Sequence, residues 1–117
     1  MADKYVDIDT LKHLLYDVHH LEELLERERF QDHDKESLDL FLDSTKSFAD
    51  KELFPYIKEM DEQPAYHKDG GVIVHPQVKT MMEEGGELGF ISGPFNYEDG
   101  GMQIPLIAQT ASSYILD

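Results

Sequence analysis

Residues 38–60, LDLFLDSTKSFADKELFPYIKEM, decide the fold. Leu38, Phe41, Leu42, Thr45, Phe48, Ala49, Leu53, Tyr56, Ile57 and Met60 recur at three- and four-residue spacing, which puts them on one stripe of a helix. Asp39, Asp43, Lys46, Asp50 and Lys58 fall mostly off that stripe, where water solvates them. Asp34 is a good N-cap, because its carboxylate can accept from the free amides of the first turn. Pro55 sits inside the pattern. It lacks a backbone donor and its ring clashes with the preceding turn, so a kink is expected at residues 51–54.

Toward the N-terminus, Leu11, Leu14, Leu15, Val18, Leu21 and Leu25 form a second apolar face. This segment is expected to start near Asp9 as its cap and to break at His19–His20. Arg27 and Arg29 suit the negative pole at its end. Toward the C-terminus, residues 61–74 lose the period. Pro64, Gly70 and Gly71 mark surface turns there, and Val72, Ile73 and Val74 suit a short extended piece. A third helix is expected from Pro76, with Val78, Met81 and Met82 facing inward and Leu88 following. Gly85 and Gly86 weaken it, and Gly89 suits the left-handed position after its end. Residues 92–103 read as another loop. The last helix is expected from Pro105, with Ile107, Ala111, Tyr114 and Ile115 as its stripe. Leu106, Ile107, Ile115 and Leu116 point in several directions, as in a helix buried on more than one side. The pattern halts at Asp117 without a cap, which raises the expectation of a fragment.

The chain carries 25 acidic residues against 10 Lys and Arg, a formal charge of −15. That field repels a phosphate backbone or an anionic membrane surface, so neither nucleic acid nor membrane is an expected partner. No signal peptide and no apolar run of the roughly 20 residues that span a bilayer is visible, and a cytoplasmic location is expected. Cysteine is absent, which excludes disulfides, thiolate metal sites and cysteine nucleophiles. With 40% hydrophobic residues, six Phe and six Tyr, the composition is that of a folded domain.

Motif mechanics alone reveal no active site. His13 and Asp17 lie four apart on a helix, with His19, His20 and His33 following, but no second pair completes a metal site. Glu22–Glu23, Glu36 and Glu83–Glu84 read as solvated faces rather than an acid–base pair. No serine lies in a nucleophile elbow, and the glycine pairs lack dinucleotide or P-loop spacing.

A run of motifs changes the picture. Phe48-Ala49-Asp50-Lys51-Glu52-Leu53-Phe54-Pro55 resembles a helix of the acyl-CoA dehydrogenases, followed there by an acidic residue like Asp61. Gly71-Val72, His75-Pro76 and Glu87-Leu88-Gly89-Phe90 come next, the last resembling the family's E-L-G-F/W turn. Pro94-Phe95-Asn96-Tyr97-Glu98-Asp99-Gly100-Gly101 is similar to the family's P-x-E-Y-G-G-x-G loop, with an extra acidic residue between Tyr97 and Gly100 and Gln103 where the last loop glycine falls. Pro105 then opens a helix, as in the larger bacterial members, whose extra N-terminal region the first helix also resembles.

The resemblance implies an all-α domain over residues 1–117, an orthogonal helix bundle of the acyl-CoA dehydrogenase type, without the middle β-domain and the C-terminal helical domain. It implies α,β-dehydrogenation of acyl-CoA in fatty-acid β-oxidation, with FAD as cofactor and electron-transfer flavoprotein as partner, in a homo-oligomer. A glutamate base takes the α-proton and flavin N5 takes the β-hydride. In the family that base and most FAD contacts lie in the other two domains, so no catalytic, cofactor or metal residue is expected here. This domain would form one wall of the acyl pocket, with Phe95, Tyr97, Gly100 and Gly101 nearest to it. Alone, the chain would be inactive, and it would self-associate through its last helix or the loop before it. The alternative is a stand-alone acidic helical interaction module bound through the Met81–Met82 face.

Overall fold

The computed structural model describes residues 5–116. The chain is mostly helical, with one two-stranded hairpin. Helix α1, Ile8–His13, widens into a π-turn over Leu14–Val18. Its cap is Asp7 rather than Asp9. The Asp7 carboxylate accepts from the amides of Asp9 at 3.1 Å and Thr10 at 3.4 Å, so Asp9 falls inside the first turn. The expected break at His19–His20 is present: His20 is left-handed at φ 53°, and α2, Leu21–Leu24, follows it. Helix α3 spans Lys35–Phe48 and begins with the reciprocal cap of Asp34 and Ser37. Before Pro55 the helix loosens into a π-turn, Ala49–Leu53, then tightens into a 3-10 turn, Phe54–Tyr56. Helix α4, Ile57–Glu62, continues beyond. The proline is thus accommodated by changing the hydrogen-bond pitch on both sides of its missing donor.

Residues 61–74 are more ordered than turn residues alone suggest. Strands β1, Tyr66–Lys68, and β2, Gly71–Ile73, pair antiparallel with Lys68 opposite Gly71. Asp69 and Gly70 connect them, both with positive φ, the backbone of a two-residue type I′ turn. Helix α5, Gln77–Glu87, ends with Gly89 at φ 86°, as its position implied. The glycine pair does not stop this helix, and Gly85 lies beneath the Phe48 and Phe90 rings. Helix α6 is Leu106–Leu116.

The core lies between α3 and α6. Leu38, Leu42, Thr45 and Ala49 pack against Ile104, Ala108, Ala111, Ser112 and Ile115, with Leu15 and Leu21 closing one side. Small residues on α6 let the two backbones approach. The Thr45 hydroxyl donates to the Phe41 carbonyl at 2.9 Å and meets the Ser112 hydroxyl at 3.2 Å, so both buried hydroxyls are satisfied. Phe90 enters the same layer, edge-on to Phe41 and Phe48.

Six inward assignments need correction. Met82, Tyr114, Leu14, Val18, Ile57 and Leu88 are exposed, at 58%, 61%, 42%, 49%, 57% and 42%. On α6 the buried stripe is set by Ala108, Ala111, Ser112 and Ile115, which turns Tyr114 away from α3. The molecule measures 52 × 38 × 17 Å, with a radius of gyration of 16.3 Å against about 13 Å for a compact domain of this length. It is a plate, and a plate leaves apolar side chains unmet. Among the described residues, no helix is long and apolar enough to cross a membrane.

Candidate functional site

The loop after α5 is built on Gly93. Its amide donates to the Gly89 carbonyl, and its own carbonyl accepts from both Met102 and Ile104 at 3.0 Å. A Cβ on Gly93 would stand 2.6 Å from the Gly89 oxygen, so only glycine closes this base. Between those ends, Tyr97–Asp99 forms a single 3-10 turn, which absorbs the extra acidic residue. Gly100 ends the turn at φ 85°, and Gly101 lies so close to the Phe95 carbonyl that a Cβ would overlap it. Gln103, where the family pattern has glycine, keeps a left-handed backbone at φ 50°. A left-handed backbone thus occurs in this loop at a non-glycine residue as well as at Gly100.

Phe95 and Tyr97 stand outward on this loop, 55% and 48% exposed. These two rings offer apolar surface on an ordered backbone. Partial desolvation, and then the hydrogen bond to Asp32, raise the Tyr97 hydroxyl above its ordinary pKa, so it stays a neutral donor.

The loop is clasped by the segment around Arg29, which sequence reading takes as the end of the first helical segment. Arg29 sits in the 3-10 turn Glu28–Phe30. It is not the helix-end charge it was expected to be. Its guanidinium donates to Asn96 Oδ1 at 2.7 Å and to the Pro94 carbonyl at 3.1 Å. Gln103 Nε2 returns a bond to the Arg29 carbonyl at 2.9 Å. His33 Nε2 lies 2.7 Å from the Met102 carbonyl, so that nitrogen carries the proton. The Tyr97 hydroxyl donates to Asp32 Oδ2 at 3.1 Å. These partners are 65 to 74 residues apart in the chain, and no periodicity or local motif signals such contacts.

A second feature lies between α1 and the outer side of α6. Leu11, Leu14, Leu15, Ile107, Ala111 and Tyr114 line an open apolar groove of about 950 Å³. Asp7 stands at its rim, held below the usual carboxylate range first by the Thr10 hydroxyl and then by backbone amides. Tyr5, also in the lining, donates to Asp50 and stacks on Phe54. Burial first, then Asp50, push the Tyr5 hydroxyl up to about 12. Burial raises Asp50, but the bonds from Lys46 and Tyr5 outweigh it and its pKa is lowered overall.

Among the described residues the lining is apolar apart from Asp7, Thr10, His19 and Thr110. Its lining suits an alkyl or aromatic group. Among the described residues no three or more metal-ligating side chains cluster, and His13 is paired with Asp17 at 2.8 Å. Phe95, Tyr97, Gly100 and Gly101 share one loop, as expected, but none of them lines the groove. No family model matches the chain, and no curated protein or solved structure does either.

Proposed function

We propose that the chain is the N-terminal helical domain of an FAD-dependent acyl-CoA dehydrogenase and forms part of the wall of its acyl-CoA pocket. The observation that carries this is the loop. Its motif order resembles the family, and in space its glycine positions have the geometry glycine favours, while Phe95 and Tyr97 face outward. The Glu87-Leu88-Gly89-Phe90 turn supports the same reading, with Gly89 left-handed and Phe90 in the core.

In this role the chain supplies shape and water exclusion. Apolar side chains favour an alkyl group over water, at about 25 cal/mol per Å² of apolar surface buried. The proton-abstracting glutamate and the groups that hold FAD belong to the two domains beyond it, and electron-transfer flavoprotein takes the electrons onward. The parent enzyme is a homo-oligomer, and the flat domain offers surface for the neighbouring parts. The test is twofold. The reading frame should continue for several hundred codons past Asp117, and flavin fluorescence should show no saturable FAD binding by the 117-residue chain. A stop codon at that point, or micromolar FAD binding, overturns the assignment.

A further inference from the structure

We infer that Arg29 is a positioning residue for the aromatic loop, holding Phe95 and Tyr97 in place through Asn96 and the Pro94 carbonyl. The hold on the loop rests on geometry alone. Its consequence for an acyl thioester rests on the proposed function.

The loop's own bonds close its base at Gly93 and its tip at Asn96, Tyr97 and Gly100. Those bonds fix its internal shape and leave its attitude to the rest of the plate open. Attitude is supplied from outside by the segment around Arg29. A guanidinium is a planar fork with fixed donor directions, so binding Asn96 Oδ1 and the Pro94 carbonyl together restrains rotation as well as distance. The two acceptors flank Phe95 directly, and Asn96 precedes Tyr97. Gln103 and His33 tie the returning strand of the loop to the same segment. One short stretch therefore grips both limbs, and Arg29 is its only side chain with two donors engaged on the loop. Without the fork, the bonds that Gly101, Met102 and Gln103 make inside the loop open more often, and the two rings lose their common orientation.

The experiment is amide hydrogen exchange on the chain, wild type against Arg29→Ala, Arg29→Lys and Arg27→Ala. Arg27 has the same charge, is exposed, and makes no side-chain bond to the loop. In Arg29→Ala, exchange at Gly101, Met102 and Gln103 should quicken about tenfold, the scale of one charge-assisted bond. Amides within α3 should keep their wild-type rates, and Arg27→Ala should match wild type throughout. Lysine should recover only part of the protection, because it lacks the fork. Unchanged loop exchange in Arg29→Ala, equal acceleration in α3, or full rescue by lysine would each overturn the hold. In the parent enzyme, Arg29→Ala should raise KM for acyl-CoA about fivefold with kcat within twofold. A loosened loop with unchanged KM would leave the hold standing and remove the loop from the acyl pocket.

Discussion

Helix α6 has two sides, and they are finished differently. Toward α3 it presents Ala108, Ala111, Ser112 and Ile115, all buried, with a hydroxyl pair sealing the contact. Toward α1 it presents Ile107 and Tyr114, which face Leu11 and Leu14 across an open groove. The side toward α3 is closed within this chain, and the side toward α1 is still open. The helix from Leu106 to Leu116 carries no charged residue in a chain that is 30% charged, which is the composition of a contact surface rather than a solvated one.

The contrast is broken most severely from the closed side. Leu42 is fully buried, and Leu42→Ala should cost about 2–5 kcal/mol, a large part of the stability of a small domain. Urea denaturation measures it. A cost below about 1 kcal/mol would mean that α3 and α6 do not form the core.

A smaller effect belongs to the rim near Tyr5. Its hydroxyl rises from an ordinary 10.0 to about 12 in the fold, so the protonated form is the one the fold favours. The resulting stability is complete below pH 10 and is lost as pH rises from 10 to about 12. Solvent screening limits it to about 1 kcal/mol. The thermal midpoint of wild type minus Tyr5→Phe should stay level from about pH 6 to 9 and then fall. A difference that stays level to pH 12 contradicts the Tyr5–Asp50 contact. Asp50 acts in the opposite direction: its lowered pKa gives stability above the usual carboxylate range, lost as pH falls through it.

The smallest stability change, and the sharpest test of the open side, is Tyr114→Asp. It should shift stability by no more than about 0.5 kcal/mol. It should also weaken the self-association expected of an exposed apolar helix, read by sedimentation across a concentration series. Unaltered association would place the contact elsewhere, and a strictly monomeric wild type would remove it.

Much of the fold was legible because local rules govern it. The Leu38-to-Met60 stripe, the Asp34 cap, the Pro55 interruption and the Gly89 stop each depend on residues within a turn of one another. The hairpin was half visible. Gly70 and Gly71 were read as turn formers, yet the stronger signal is the Asp69-Gly70 pair between two short extended runs. Tyr114, Met82, Leu14, Val18, Ile57 and Leu88 were misplaced because a helical stripe says which residues share a face, not whether another element covers it. The loop could be found by its glycines and aromatics. Its clasp could not, since Arg29, Asp32 and His33 meet it from 65 or more residues away.

The most direct test of the functional claim uses the product of the whole reading frame, purified with its flavin under anaerobic conditions. Saturated acyl-CoA thioesters of graded chain length are added and the flavin absorbance near 450 nm is followed. Bleaching by at least one of them, with the matching enoyl-CoA recovered, is the predicted result. A gene product that carries no flavin, or a flavin that no acyl-CoA bleaches, would contradict the account.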